Sequence, residues 1–211
     1  MAETIGILLF DDVEELDFAG PWEVFSAARQ MANQMASELA SQPAGEAAGS
    51  VLTIAQNDAP VRCAKGLRVI PDHSFADAPQ LDVLLVPGGM GTRREVDNPA
   101  VIDWIRKAGE ECQWVTSVCT GALLLHEAGF ARGRRVTTHW GFVEELRERG
   151  DVTVLDGPRF VRDGQLVTAA GVSAGIDLAL WLVGQLHTPE FARQVQRYIQ
   201  YEPAPPYSAE L

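Results

Sequence analysis

The chain contains few basic residues. Its 211 residues include 17 Lys and Arg against 29 Asp and Glu, which gives a formal net charge of −12 at pH 7. Proteins that bind nucleic acids or anionic membranes neutralise phosphate groups with a basic surface. The composition therefore predicts that neither a nucleic acid nor a membrane surface is a partner.

Long apolar runs are also missing. No stretch approaches the roughly 18 consecutive apolar residues that a membrane-spanning helix needs. The N-terminal stretch MAETIGILLFDD is acidic, and its apolar run is too short for the core of a signal peptide. We therefore expect the protein to stay in the cytoplasm.

Cysteine and histidine are scarce as well. The three cysteines are Cys63, Cys112 and Cys119, and the chain has four histidines. An odd number of cysteines without a targeting segment indicates reduced thiols rather than a disulfide framework. No Cys/His spacing matches a zinc motif, so we expect no metal site.

What the sequence does contain is an alternation of short apolar runs with helical patterns. Strands are predicted at 4–10, 51–56, 67–75, 81–86, 113–118, 134–140, 152–155, 158–163 and 165–170. Helices are predicted at 20–35, 98–111, 120–129, 141–150, 171–187 and 189–200. The segment 36–50 is expected to be a helix end and surface loop, and 201–211 a proline-rich tail. This alternation predicts an α/β fold, with a doubly wound, mostly parallel sheet covered by helices on both faces.

Three loops that follow predicted strands carry unusual residues. They are DDVEELDFAG at 11–20, PGGMGT at 87–92, and the Cys-Thr-Gly sequence that begins at Cys119. In doubly wound sheets, functional sites form beyond the carboxyl ends of the strands, where such loops meet. We therefore expect these three loops to form one site.

Cys119 lies where a strand turns at once into a helix. Such a strained turn projects its side chain above the sheet, as in the nucleophile elbow of hydrolases. The N-terminus of the following helix is expected to lower the pKa of the thiol and to favour the thiolate. The alternative is a small buried thiol that merely fills a tight turn.

The motifs LLFDDVEELDFAGPWEVF, DVLLVPGGMGT, VTSVCTGALLLHEAG, VTTHWG and TAAGVSAGIDLALWLV together resemble the DJ-1/PfpI superfamily, over roughly residues 4–200. Within it, LDFAGP, the Cys-Thr pair and RYIQYEPAPPY are similar to the isonitrile hydratase branch. The resemblance implies one flavodoxin-like domain spanning 1–211, a homodimer, and a nucleophilic Cys119 in the elbow.

The resemblance also implies a catalytic role for three residues. Asp17 would face the Cys119 thiol and exchange a proton with it, while Thr120 would contribute its hydroxyl and its backbone N–H. Without the resemblance, Asp17 could equally be a helix cap, because Asp is a common N-cap residue.

Four further residues are expected to bind the substrate. The loop at Gly88 and Gly89 would supply a backbone N–H to an oxyanion-hole-type site, although it could also be a plain turn. Gly20 belongs to the LDFAG motif of the resemblance. His139 lies twenty residues after Cys119, where many superfamily members place a histidine near the thiol, but it could also be a core or capping residue.

These implications lead to one principal function. The chain is expected to hydrate a small-molecule isonitrile to an N-substituted formamide through a cysteine thioimidate, with no metal or organic cofactor. Superfamily proteases carry a histidine where this chain has Thr120, which disfavours amide hydrolysis. The alternatives are a redox or stress sensor with an oxidisable Cys119, and a binding module without catalysis.

Overall fold

The computed structural model describes residues 3–39 and 49–203. Most of the loop predicted at 36–50, and the tail beyond residue 203, lie outside the described residues. Among the described residues, no helix is both long and apolar enough to cross a membrane.

The strands follow the predicted apolar runs. They are β1 (Thr4–Leu8), β2 (Ser50–Ala55), β3 (Val61–Arg62), β4 (Arg68–Val69), β5 (His73–Ser74), β6 (Val83–Val86), β7 (Trp114–Val118), β8 (Arg135–Val136), β9 (Thr153–Val154), β10 (Phe160–Asp163) and β11 (Leu166–Ala169). The strand β3 was not expected from the sequence. Strands β6 and β7 are buried along their whole length, which explains their lack of polar alternation.

The main sheet has seven strands in the order β10-β11-β7-β6-β1-β2-β5. Its neighbouring strands are parallel except for β10 and β11, which form an antiparallel hairpin. Strands β7, β6 and β1 are adjacent and parallel, so their carboxyl ends meet at one edge. The three unusual loops therefore come together, as predicted.

The helices cover both faces of this sheet. They are α1 (Glu15–Leu39), α2 (Thr92–Glu95), α3 (Pro99–Glu110), α4 (Gly121–Glu127), α5 (Val143–Glu148), α6 (Ala174–Leu186) and α7 (Pro189–Tyr198), with a short 3₁₀ helix at Trp140–Phe142. Helices α1, α6 and α7 pack against one another, while α2 and α3 pack on α4. The predicted doubly wound architecture is confirmed.

Helix α1 differs from its prediction. It begins at Glu15, not at residue 20, so Pro21 lies inside it and not at its first turn. Acidic residues at Glu15 and Asp17 favour an earlier start, because they interact well with the positive end of the helix dipole. The earlier start of α1 matters for the candidate site, because it places Asp17 on the first turn of a helix and not in a loop.

Candidate active site

Cys119 occupies a strained turn between β7 and α4. Its φ is 56°, a left-handed conformation that is unfavourable for a residue with a side chain. Its N–H donates to the carbonyl oxygens of Ala169 and Ala170 at 3.1 and 2.9 Å. Its carbonyl oxygen accepts from the Thr138 hydroxyl at 2.7 Å. These bonds from neighbouring segments hold the elbow that the sequence predicted.

The elbow also depends on the glycine that starts α4. A Cβ added to Gly121 would lie 2.1 Å from the carbonyl oxygen of Val86, at the end of β6. Only glycine allows this approach, so α4 can begin directly against the neighbouring strand. The Cys-Thr-Gly sequence is thus a packing requirement as well as a chemical motif.

Asp17 is completely buried beside Cys119. Its Oδ2 accepts from the N–H of Gly88 at 2.8 Å, and its Oδ1 has no hydrogen-bond partner among the described residues. The hydrogen bonds of its side chain go to the glycine loop and to Cys119, and not to an N–H of its own helix, so the contacts do not support the helix-cap alternative. Burial raises the pKa of Asp17 to about 7, an effect that the Gly88 N–H opposes and the charge of Glu14 adds to. The carboxyl group can therefore take up or release a proton near neutral pH.

The expected low pKa of Cys119 is wrong for the protein as it stands. The side chain is 6% exposed, and burial raises its pKa to about 12, with the charge of Asp17 as the next cause. Hydrogen bonds from the N–H groups of Thr120 and Val172 and from the Thr120 hydroxyl lower the pKa, but less. Desolvation outweighs the helix terminus, so the resting group is a thiol.

The hydroxyl of Thr120 is tied to the glycine loop. Its Oγ1 accepts from the N–H of Gly89 at 3.0 Å and lies 3.2 Å from the Gly89 carbonyl oxygen. The N–H of Gly88 is bound to Asp17. The N–H groups of Gly88 and Gly89 therefore orient Asp17 and Thr120 in this structure. The role of the two glycines as oxyanion donors stays a prediction.

Gly88 remains indispensable for a different reason. A Cβ at this position would lie 2.5 Å from the backbone nitrogen of Thr120 and 2.9 Å from Oδ2 of Asp17. The first turn of α1, the glycine loop and the elbow thus meet at one point where no side chain fits. The close approach of the acid to the elbow depends on this glycine.

Sequence reasoning missed Val172. This residue precedes α6 and has a φ of 45°, which is strained for a β-branched side chain. Its N–H faces the Cys119 sulfur and lowers the pKa of the thiol. The order of the strands could have indicated this residue. Strand β11 is parallel to β7, so the loop that follows β11 lies at the same edge of the sheet as Cys119.

The other two predicted binding residues lie farther from the thiol. Gly20 is buried in α1, where an added Cβ would lie 2.9 Å from Ile176 of α6. Gly20 serves helix packing, and its binding role stays a prediction. His139 caps the 3₁₀ helix, with Nδ1 accepting from the Gly141 N–H at 3.1 Å, and its ring packs on Gly171. The hydrogen bond of the His139 side chain is therefore that of a capping residue, which was the alternative considered from the sequence.

A cleft of about 360 Å³ lies beside the elbow. Thr138 and Val172, which both contact Cys119, line it together with His139 and the exposed Trp140. The segment 156–159 also lines the cleft. The volume is enough for a small organic molecule. Within the described ranges, no cluster of three His, Cys, Asp or Glu side chains is placed to hold a metal.

Comparison with known protein families gives one match over most of the chain. The model of the DJ-1/PfpI family matches residues 3–185. The chain is 39% identical to isonitrile hydratase of Pseudomonas putida over 209 residues, which cover 99% of this chain and 83% of that protein. It is 33% identical to the HTH-type transcriptional regulator CdhR of Pseudomonas aeruginosa over 142 residues, 67% of this chain and 42% of the regulator.

Solved structures share the fold. A THiJ/PfpI family protein from Pseudomonas syringae matches with a TM-score of 0.85 and 29% identity, over 100% of this chain and 80% of that one. Drosophila melanogaster DJ-1beta matches with a TM-score of 0.77 and 21% identity, over 96% of this chain and 100% of that one. Among the proteins of similar sequence, one is named as an enzyme, the hydratase, and another as a transcriptional regulator.

Proposed function

Because the chain belongs to the DJ-1/PfpI family, we propose that it is an isonitrile hydratase, which adds water to an isonitrile and releases an N-substituted formamide. The observation that carries the proposal is the buried pair of Asp17 and Cys119, in which Oδ1 of the acid lacks a hydrogen-bond partner among the described residues. The 39% identity to a hydratase over almost the whole chain supports the same reaction.

The first step joins the thiol to the isonitrile carbon. Asp17 takes the proton of the Cys119 thiol, and the sulfur attacks the terminal carbon. Asp17 then returns the proton to that carbon, which gives the thioimidate R–N=CH–S. The pKa of about 7 suits both transfers, because the carboxyl group accepts and donates a proton with similar ease.

The second step adds water. Asp17 takes a proton from a water molecule that attacks the thioimidate carbon, and the imine nitrogen receives a proton. The resulting R–NH–CH(OH)–S adduct collapses to R–NH–CHO, and the proton of its hydroxyl returns to the sulfur. The thiol is restored, so one isonitrile and one water yield one formamide, with no other reactant.

The alternative of a redox sensor is less well supported. Sensor cysteines are accessible and have a low pKa, because the thiolate is the form that oxidises. Cys119 is buried, and its pKa is raised to about 12. Such a thiol needs a neighbouring base to react, and Asp17 is that base.

The test is product formation by matched cysteine variants. Wild type is expected to convert a simple aryl isonitrile to the formamide, and Cys119→Ala is expected to lose this activity by at least about a thousandfold. Cys112→Ala is the control, because Cys112 is also buried but its sulfur contacts the carbonyl oxygens of Leu81 and Ala108. The formamide is measured by nuclear magnetic resonance.

The pH dependence adds a second criterion. The ionised Asp17 accepts the thiol proton, so turnover should rise with pH through about 7. Wild type that releases no formamide from aryl or alkyl isonitriles would contradict the proposal. So would Cys119→Ala with the activity of Cys112→Ala.

A further inference from the structure

A second hydroxyl lies behind that of Thr120. Thr92 begins α2, and its side chain is completely buried. Its Oγ1 is 2.8 Å from the carbonyl oxygen of Gly89 and 3.1 Å from Oγ1 of Thr120. The reaction proposed above gives it no task. A hydroxyl with one proton and two acceptors within reach has a choice of partner.

The bonds of Thr120 leave room for such a choice. Its Oγ1 already accepts from the Gly89 N–H. The direction of this bond is fixed, because a backbone N–H can only donate. Its own proton can reach the Gly89 carbonyl oxygen, Oγ1 of Thr92 or the sulfur of Cys119. Two rotatable protons, one on each threonine, thus decide the direction of the whole network.

A positive charge lies at the far end of this network. The Nη1 of Arg93 is 3.3 Å from Oγ1 of Thr92, and arginine has no proton to lose at ordinary pH. The guanidinium is held over the ring of Phe142 at 4.6 Å and lies 3.8 Å from the carboxylate of Glu145. The Thr92 hydroxyl therefore has the guanidinium of Arg93 on one side and the hydroxyl of Thr120 on the other.

We propose that Thr92 is a positioning residue that turns the Thr120 hydroxyl toward the Cys119 sulfur and links it to the charge of Arg93. When the thiol proton moves to Asp17, the Thr120 hydroxyl donates to the sulfur. The Thr92 hydroxyl then leaves the Gly89 carbonyl and donates to Oγ1 of Thr120. Successive hydrogen bonds that point the same way strengthen one another.

The carbonyl that Thr92 leaves does not become unpaired. The Gly89 carbonyl oxygen also accepts from the backbone N–H of Thr92 at 3.2 Å and from Arg93 at 3.4 Å. An unsatisfied buried carbonyl would oppose the rotation, and these two donors remove that penalty. The network thus has two complete arrangements, one for the thiol and one for the thiolate.

The inference rests on the proposed role of Cys119 as a nucleophile, and its test does not need the substrate. The rate of Cys119 alkylation by iodoacetamide is measured between pH 6 and 10, with peptide mapping. Thr92→Val is expected to lower the rate about tenfold and to move its pH profile upward, because a bond to a charged group is among the stronger ones. Thr92→Ser keeps the hydroxyl and should stay within about threefold of wild type.

The control is Thr116→Val. Thr116 is also fully buried, but its hydroxyl donates to the carbonyl oxygen of Leu84, away from this network. Its alkylation should match wild type. Thr92→Val with the same rate and profile as this control would overturn the inference.

A second variant, at Arg93, keeps the inference testable if Thr92→Val does not fold. Arg93→Met removes the cation and leaves the buried hydroxyls, and we expect about a threefold slower alkylation. A wild-type rate would overturn the inference. A wild type that hydrates no isonitrile would reject the proposed function but not this network, because alkylation needs only the thiol.

Discussion

Asp17 is a carboxyl group in a place that favours a neutral side chain. It is completely buried, and its pKa is raised from 3.8 to about 7. The folded protein therefore binds this proton more tightly than the unfolded chain does. The stability that the proton contributes is complete below about pH 4 and is lost as the pH rises through 7.

Replacement of Asp17 by Asn should reveal this loss. Asn stays neutral and can still accept from the Gly88 N–H, so the variant should melt like wild type near pH 4 and higher than wild type at pH 8. The shift of the pKa to about 7 corresponds to roughly 4 kcal/mol at most. Thermal melts from pH 4 to 8 measure the difference.

A second aspartate provides the control for this measurement. The pKa of Asp77 is lowered to about 2, first by a hydrogen bond from the Ser74 hydroxyl. Asp77→Asn should therefore not raise the melting temperature at pH 8. An Asp17→Asn protein that is less stable than wild type at pH 8 would contradict the assignment of a raised pKa.

The order of strands in the sequence predicted that the loops carrying Asp17 and Cys119 meet at one edge of the sheet, and the family resemblance, not the topology, implied roles for Asp17 and Thr120. The expected low pKa of the Cys119 thiol was wrong, because burial raises that pKa. The pKa of the thiol depends on how completely other segments cover it, and the occupancy of the Gly88 and Gly89 N–H groups depends on distances between loops. These quantities are not local, so no motif contains them.

At the scale of the elements, the contact between α4 and β6 fixes the elbow. Gly121→Ala places a Cβ 2.1 Å from the carbonyl oxygen of Val86. Backbone cannot move aside like a flexible side chain, so the variant should lose about 2–3 kcal/mol of stability or more. Chemical denaturation measures this change.

Gly184→Ala is the matched control. It is also a helical glycine, but the nearest atoms to an added Cβ lie 3.6 Å away, which is ordinary contact. Ala is the better helix former, so this variant should gain up to about 1 kcal/mol. Equal effects of the two substitutions would show that the approach of α4 to β6 is not restrictive.

The caps and turns at this scale were predictable where the signal is local. Asn98, where the sequence predicted the start of this helix, caps α3 by accepting from the Ala100 N–H, and Pro99 follows it. The start of α1 was not predictable from its proline. The short α2 was missed, because four residues carry too little periodicity to be recognised.

For the whole molecule, the architecture was predictable because buried parallel strands leave continuous apolar runs in the sequence. The assembly is a separate matter. The family resemblance alone leads us to propose a homodimer, since one sequence does not reveal a self-complementary surface.

Light scattering tests the dimer. We expect a mass near twice the 22.9 kDa of the chain at micromolar concentration. The measurement should be repeated at high salt, because a net charge of −12 on each chain opposes association at low ionic strength. A mass near that of one chain under both conditions would contradict the proposal.

The division of the site into two halves has a consequence for directed evolution. Asp17, Cys119 and Thr120 are held by the first turn of α1, the glycine loop and the elbow, where even a Cβ does not fit at Gly88. The cleft walls at Trp140 and 156–159 belong to other segments. Under the proposed hydratase function, a library that varies these walls and spares the glycine loop is therefore expected to change which substrate is accepted while Asp17, Cys119 and Thr120 keep their places.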